Sequence, residues 1–172
     1  SDGETRDALR ATLNRVDSMA LLHRVLYRTD EAAGIDFGRY LEELCEHFVE
    51  AFALSDQGIT LSVDAEPCPT DLDHAVPIAL AVNEAITNAI KHAFPDGRGG
   101  SILVRVRRDG PEATVEVRDD GVGAPGMDVA SPGIGRTLLR RLVQQAGGRH
   151  ELEIRDGTTF RVVFPVDGRP PA

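Results

Sequence analysis

The sequence predicts an α+β fold: a two-layer sandwich in which a mixed β-sheet carries helices on one face, preceded by an N-terminal helix. Two observations predict it. Segments that alternate apolar and polar residues are joined in pairs by the hairpin turns Asp109-Gly110 and Asp156-Gly157. Around those hairpins lie longer segments whose apolar residues recur at helical spacing. Hairpins mixed with helices bury one sheet face under a helical layer, which is the α+β arrangement.

Four segments have the apolar periodicity of amphipathic helices. Asp36 stands directly before the second of them, where an aspartate side chain can cap a helix. Gly147-Gly148 follows the fourth and is a typical helix terminator. We therefore expect helices over Thr5 to about Tyr27, about Phe37 to Ala53, Asp73 to about Phe94, and Arg136 to Ala146.

Five shorter segments alternate apolar and polar side chains with a period of two, as half-buried strands do. The first follows the second helix, two more form a hairpin after the third helix, and the last two close the fold. The expected strands are Ile59 to Asp64, Ile102 to Arg107, Ala113 to Arg118, Glu151 to Arg155 and Thr159 to Pro165.

The composition is that of a soluble globular chain, with 41% hydrophobic and 27% charged residues among 172. A net charge of −9 argues against nucleic-acid binding, which depends on clustered Lys and Arg. No apolar run is long enough to cross a bilayer, so we expect no membrane segment in this sequence. The two cysteines, Cys45 and Cys68, have no metal-ligand spacing, and a buried free thiol at Cys45 leads us to expect a cytoplasmic location. Because the sequence opens at Ser1 rather than at a methionine, we expect it to be a piece of a longer protein.

The first candidate site lies on the third predicted helix. Glu84 and Asn88 are four residues apart and Lys91 is three further on, so all three project from one face, opposite an apolar stripe. An amide oxygen can ligate magnesium without adding charge, and an ammonium group offsets phosphate charge, so this row suits magnesium triphosphate. A solvated helix face with one polar pair is the alternative interpretation.

The second candidate site follows the strand that ends at Arg118. Asp119 is followed by Gly121 and Gly123, and glycines allow the backbone to approach a ligand closely. An aspartate at a strand end can accept a hydrogen bond from an exocyclic amine such as that of adenine. A glycine-rich turn without a ligand is the alternative.

The third candidate site is Gly133-Ile134-Gly135, directly before the fourth predicted helix. A glycine turn that opens a helix brings free N–H groups and the positive helix end to one point, which favours phosphate. Arg136 or Arg140 would add positive charge there. This pattern is common by itself, and it gains weight from its position after the other two sites.

The order and spacing of the three sites resemble those of a known family. A helix with Glu-x-x-x-Asn-x-x-Lys is followed about thirty residues later by Asp-x-Gly-x-Gly and then by Gly-x-Gly. The stretch 36–166 resembles the ATP-binding domain of the GHKL superfamily, which has the Bergerat fold. Residues 83–94 resemble the asparagine-containing box of histidine kinases most closely, and 157–165 resemble the closing Gly-Thr-x-Phe strand of the same domain.

The resemblance implies ATP with Mg²⁺ as the ligand and gives roles to the motif residues. Asn88 would hold Mg²⁺, and Glu84 would orient a metal-bound water or polarise the incoming imidazole. Lys91 would steady the phosphates, with His92 near the ribose or the α-phosphate. Asp119 would accept a hydrogen bond from the adenine amine. The other nucleotide contacts implied in the pocket and its lid are Gly121, Gly123, Gly133, Ile134, Gly135, Arg136 and Thr159.

The N-terminal segment resembles the end of the dimerisation helix in one histidine kinase subfamily. We therefore expect residues 1–30 to belong to a helical dimerisation domain and 31–172 to the catalytic ATP-binding domain. The acceptor histidine of that subfamily lies in a His-Arg-Val-Lys-Asn-like stretch, which this sequence lacks. The surroundings of His23 match the later part of the helix instead, so we interpret it as a surface or packing histidine.

The implied function is that of the catalytic domain of a two-component sensor histidine kinase, which presents the γ-phosphate of Mg-ATP to a histidine outside this sequence. The implied protein partner is a response-regulator receiver domain. The parent protein is expected to be a homodimer, and this piece a monomer or a weak dimer.

Three alternatives stay open at this point. A serine kinase of the anti-sigma-factor type shares the three sites, although such proteins need no dimerisation helix like the one predicted over Thr5 to Tyr27. A nucleotide-sensing or phosphotransfer scaffold with a disused pocket is the non-enzymatic alternative, and the intact site residues disfavour it. A gyrase-like or chaperone ATPase is disfavoured by the chain's size and by its short lid.

Overall fold

The computed structural model describes residues 2–27, 34–123 and 134–166, and it contains the four expected helices in those ranges. Asp36 caps the second helix, because its Oδ1 accepts a hydrogen bond from the Gly38 N–H at 3.1 Å. Asp71 caps the third in the same way, with the His74 N–H as donor. The helices are α1 (Asp2–Tyr27), α2 (Phe37–Ala51), α3 (Leu72–His92) and α4 (Ile134–Gln145).

The described strands form one five-stranded sheet and one short two-stranded sheet. The strands in chain order are β1 (Ile35–Asp36), β2 (Ile59–Ala65), β3 (Pro69–Thr70), β4 (Gly100–Asp109), β5 (Glu112–Asp119), β6 (Arg149–Ile154) and β7 (Thr158–Pro165). In the large sheet the order is β2-β4-β5-β7-β6, with β2 parallel to β4 and every other pair antiparallel. This is the predicted mixed sheet.

One face of the large sheet is buried and the other is charged. Along β4 the residues Ile102, Val104 and Val106 are fully buried, and the corresponding residues of β5 and β7 are buried with them. The opposite face carries ion pairs between strands, such as Arg161 of β7 with Glu116 of β5 at 2.7 Å. Since polar side chains cover that outer face, the helices pack on the inner one, and the predicted two-layer sandwich is confirmed.

α1 is packed into the core near its C-terminal end. Leu21 and Leu22 are buried in the core, and α1 contacts both α2 and α3. Farther towards the N-terminus, apolar side chains remain more than half exposed. None of the helices in the described ranges is long and apolar enough for a membrane span. The exposed apolar side chains of α1 are Leu9, Leu13, Val16 and Met19.

Two features of the fold differ from the expectation. The short strands β1 and β3 pair with each other, and neither is among the five expected strands. α4 begins at Ile134 rather than Arg136, so part of the predicted glycine turn is its first helical turn. The predicted lid, about 124–132, lies outside the described residues.

Candidate nucleotide-binding site

A cavity opens between α3 and the inner face of the sheet, close to the C-terminal end of α3. Ala85 and Ala89 of α3 line it, and Ala93, which follows the helix, continues the same small-residue surface. Because alanine has only a methyl group, this surface leaves room between the helix and β5. The full lining is Ala85, Asn88, Ala89, His92, Ala93, Val117, Asp119, Gly123, Leu139, Leu152, Ile154, Thr158 and Phe160.

Asp119 is the acidic residue of this lining, and its carboxylate is held in one orientation. It is the last residue of the central strand β5 and only 5% exposed. Its Oδ1 accepts hydrogen bonds from the Gly121 N–H at 2.9 Å and the Thr158 N–H at 3.2 Å. Its Oδ2 accepts none from the residues that the structure describes, so it is left to accept from a ligand.

The electrostatic setting of Asp119 combines opposing effects. Burial raises the pKa of its carboxyl group, the N–H groups of Gly121 and Thr158 lower that pKa, and the neighbouring Asp120 raises it again. The net pKa lies above the ordinary aspartate value. A raised pKa at an oriented carboxylate in a cavity is typical of a functional site.

Two glycines fit closely around Asp119. A Cβ on Gly157 would lie 2.0 Å from the Asp119 carbonyl oxygen. The φ angle of Gly157 is +113°, which residues other than glycine rarely adopt. A Cβ on Gly121 would lie 2.3 Å from the Ala93 carbonyl oxygen. The turn between β6 and β7 and the segment after β5 therefore both need glycine to approach the end of β5 and α3.

The structure brings four of the predicted site residues to the cavity: Asn88, His92, Asp119 and Gly123 all line it. Gly121 lies beside them, against Ala93. These residues come from the first and second candidate sites, which are about thirty residues apart in sequence. Their meeting favours a binding site over two unrelated surface features.

Other predicted residues lie elsewhere. Glu84 is buried in α3 and is not part of the lining, and Lys91 is exposed to solvent beyond it. Thr159 lines a polar cleft on the outer face of the sheet. Of the third site, Ile134, Gly135 and Arg136 form the first turn of α4, and Gly133 lies outside the described residues.

Sequence reasoning missed Thr158 and the apolar wall of the cavity. Thr158, rather than Thr159, faces the cavity and donates its N–H to Asp119. Leu152 and Ile154 lie on the inner side of the edge strand β6, where they are about two-fifths exposed. Their alternation with Glu151 and Glu153 was a usable signal, since every second side chain of a strand shares a face.

The lining suits a flat heterocyclic base better than a free metal ion. Most of it is aliphatic or aromatic, and the polar groups are the Asp119 carboxylate, the Asn88 amide, the His92 ring and Thr158. Within the ranges that the structure covers, no group of three or more His, Cys, Asp or Glu side chains is placed to hold a metal. A cation here would need oxygen ligands from the bound molecule itself.

An apolar cavity with one oriented carboxylate, between a helix and a mixed sheet, is suited to a nucleotide base. The family model described as "Histidine kinase-, DNA gyrase B-, and HSP90-like ATPase" matches residues 73–168, and the chain belongs to this family. A second model, described as "Histidine kinase", matches residues 1–52, which include α1 and α2. The resemblance inferred from the motifs is thereby confirmed.

Known relatives agree with this assignment. The sensor histidine kinase PdtaS of Mycobacterium tuberculosis is 31% identical over 149 residues, covering 83% of this chain and 29% of that protein. Blue-light-activated histidine kinase 2 of Erythrobacter litoralis is 31% identical, covering 87% of this chain and 44% of that protein. The chain thus spans less than half of these relatives. An anti-sigma F factor of Clostridium acetobutylicum is also 31% identical, but it covers 42% of this chain.

A solved structure matches the fold as a whole. The histidine kinase domain of the Erythrobacter litoralis EL346 blue-light-activated histidine kinase superposes with a TM-score of 0.80 at 26% sequence identity. The match covers 91% of this chain and 75% of that domain. It therefore includes a helical segment before the sheet, which favours the histidine kinase interpretation over the anti-sigma-factor alternative.

Proposed function

We propose that the chain binds Mg-ATP in this cavity and acts as the catalytic domain of a sensor histidine kinase, presenting the γ-phosphate to a histidine elsewhere in the protein. The observation that carries the proposal is the oriented Asp119 carboxylate. Its Oδ1 accepts hydrogen bonds from two backbone N–H groups. Its Oδ2 accepts none from the residues that the structure describes, so it remains available to a ligand in the cavity. An acceptor fixed in this way selects a base with an amine at the position of adenine's 6-amino group, where guanine has a carbonyl oxygen that the carboxylate would repel.

The adenine ring fits the apolar part of the lining. Val117 and Phe160 from the sheet and Leu139 from α4 would contact its faces, opposite the alanine surface of α3. An apolar cavity with one specific polar contact gives both affinity and selectivity, because the aromatic surface is buried while the amine keeps a partner.

The phosphates would extend from the base along α3. Asn88 lines the cavity and is half-buried, and we assign its amide oxygen to Mg²⁺, which would also bind phosphate oxygens. When bound, Mg²⁺ would neutralise negative charge on the phosphates. His92 is one turn further on, and the exposed Lys91 would reach the phosphates from solvent. Glu84 is one turn before Asn88, where we assign it to orienting Asn88 or a metal-bound water.

The wider assignment rests on the relatives. PdtaS and blue-light-activated histidine kinase 2 are named as histidine kinases, and the chain matches 29% and 44% of their lengths. We therefore propose a cytoplasmic kinase whose phosphate passes to a response-regulator receiver domain. In the whole protein α1 would belong to a dimerisation domain, with its exposed apolar side chains at the interface.

A thermal-shift experiment tests the ligand and its metal together. Saturating Mg-ATP should stabilise the chain by about 2.7 kcal/mol at a hundredfold excess over Kd, because the cavity exists only in the folded state. In Asn88→Ala the stabilisation by ATP should no longer depend on Mg²⁺, while the helix stays formed since alanine is a strong helix former. Gln144→Ala, which removes an exposed amide from α4, is the control. An unchanged magnesium dependence in Asn88→Ala would place the metal elsewhere.

A further inference from the structure

Asp120 makes a side-chain contact that ends the pairing of β5 with β4. In that antiparallel pair Ile102 lies opposite Asp119, so Ser101 would come next opposite Asp120. The Asp120 N–H does donate to the Ser101 carbonyl oxygen, at 3.2 Å. The return bond is different: the Ser101 N–H donates to Oδ1 of the Asp120 side chain, at 2.8 Å, instead of to its backbone carbonyl.

Because the Asp120 side chain replaces its backbone carbonyl as acceptor, the backbone can leave the sheet while the Ser101 N–H keeps a hydrogen bond. In a regular antiparallel pair the backbone carbonyl of Asp120 would accept from Ser101, and the chain would have to continue along the sheet. Because the carboxylate takes that place, the chain turns at Asp120 towards the end of α3. A hydrogen bond from a backbone N–H to a carboxylate is stronger than one to a neutral acceptor, so this bond holds the turn firmly in place.

The segment after Asp120 is then attached to α3. The Val122 N–H donates to the Ala93 carbonyl oxygen at 3.0 Å, and Gly121 packs so closely on Ala93 that a Cβ would not fit. Between these two attachments lies the Gly121 N–H, one of the two donors that orient Asp119. The position of that donor therefore depends on where Asp120 turns the chain.

We propose that the Asp120 side chain is a positioning residue: by its bond to the Ser101 N–H it fixes Gly121, and through Gly121 it aims the Asp119 carboxylate at the nucleotide base. Asp120 itself is exposed and is not part of the cavity lining. The inference rests on the proposed function, in which Asp119 reads adenine. It predicts that Asp120 governs selectivity between bases and not affinity for phosphate.

The test compares Asp120→Ala with Asp120→Asn for binding of Mg-ATP and Mg-GTP by competition calorimetry. Alanine removes the acceptor, so the Kd for ATP should rise about tenfold, the loss expected when one positioning hydrogen bond is removed, while the Kd for GTP changes less than twofold. Asparagine keeps an oxygen for the Ser101 N–H, so Asp120→Asn should retain the ATP preference of the unmodified chain. Asp109→Ala, an exposed aspartate at the other end of β4, is the matched control.

Each other outcome removes the proposal. Equal losses of ATP affinity in Asp120→Ala and Asp120→Asn would show that the charge of Asp120 matters and not its hydrogen bond to the Ser101 N–H. Equal weakening of ATP and GTP, together with a lower thermal midpoint, would show a purely structural role. If Asp120→Ala kept the ATP preference, the positioning role of Asp120 would be excluded, but the proposed role of Asp119 would stand. If the unmodified chain did not prefer ATP to GTP, the proposed role of Asp119 would be excluded as well.

Discussion

At the scale of single residues, the site depends on the balance of forces at Asp119. Burial disfavours the carboxylate, and the N–H groups of Gly121 and Thr158 favour it, yet the net pKa is raised. The carboxylate is nearly buried, and its Oδ2 accepts no hydrogen bond from the residues that the structure describes. Its solvation is therefore incomplete, and burial outweighs the two hydrogen bonds to Oδ1. A ligand amine would supply the missing donor, so part of the energy of binding adenine comes from relieving this deficit.

The raised pKa of Asp119 predicts two pH dependences of opposite sign. In the ligand-free chain the folded state binds the Asp119 proton more tightly than the unfolded state does. The stabilisation is therefore greatest at low pH and is lost as pH rises through the folded pKa. Adenine binding needs the ionised acceptor, so ATP affinity should rise with pH over that same range.

Asp119→Asn is the reference for this measurement, because it removes the titrating group and keeps the side-chain shape. Thermal midpoints and ATP affinities of both chains, measured over the acid range, give the Asp119 contribution by difference. Two slopes of the same sign, or no difference between the two chains, would contradict the raised pKa of a ligand-contacting Asp119.

Much of the site was predictable residue by residue, and the exceptions have physical reasons. Spacing along a helix and the glycines after a strand predicted Asn88 and Asp119 as site residues, and both line the cavity. Thr159 was predicted in place of Thr158, because a shift of one residue in a strand moves a side chain to the opposite face. Lys91 is three residues after Asn88 on the helix, but its side chain is exposed and is not part of the lining, whereas its neighbours His92 and Ala93 line the cavity.

At the scale of elements, the turn between β6 and β7 supports the end of β5. Gly157 contacts the Asp119 carbonyl oxygen so closely that no side chain fits, whereas Gly110, in the turn between β4 and β5, has no neighbour near its missing Cβ. Both have positive φ, +113° and +59°. Comparing substitutions at Gly157 and Gly110 therefore distinguishes the effect of steric contact at the site from the effect of backbone strain.

Replacing Gly157 by alanine should weaken both stability and nucleotide binding. Positive φ costs about 1–3 kcal/mol at either turn, and at Gly157 the clash with Asp119 adds to it and displaces the end of β5. Gly110→Ala should lose only the backbone contribution and bind ATP normally. Denaturant unfolding and calorimetry measure the two effects. Equal behaviour of the two variants would show that the β6–β7 turn does not support Asp119.

The elements themselves followed from the sequence where periodicity was long enough to detect. All four helices and the five strands of the large sheet were predicted, with ends that differ by a few residues. β1 and β3 were not, since strands of two residues have no detectable alternation. They form because the chain before α2 packs beside the segment before α3, where the Phe37 N–H donates to the Cys68 carbonyl oxygen at 2.9 Å.

At the scale of the whole molecule, the proposed kinase function requires a histidine that receives the phosphate. His23 lies exposed on α1, and its sequence surroundings differ from the acceptor stretch of the subfamily that this segment resembles. Phosphoryl transfer requires the acceptor nitrogen in line with the γ-phosphate, and small misplacements slow it strongly. We therefore predict that this chain does not phosphorylate itself on histidine.

Incubation with γ-labelled ATP followed by acid treatment measures this, because phosphohistidine is acid-labile. No acid-labile label should be found in the chain. Label that disappears in His23→Gln but remains in His47→Gln, an α2 histidine outside the cavity lining, would identify His23 as the acceptor and contradict the prediction.

We propose that one cavity, bounded by Asn88 and Asp119, binds adenine nucleotides through an oriented carboxylate. The decisive experiment is calorimetry of Mg-ATP and Mg-GTP with the unmodified chain and with Asp119→Asn. ATP should bind the unmodified chain more tightly than GTP does. Asp119→Asn should lose about 1–3 kcal/mol of ATP binding, the range for an unmatched buried polar contact. Equal binding of the two nucleotides by the unmodified chain, or unchanged ATP binding in Asp119→Asn, would contradict it.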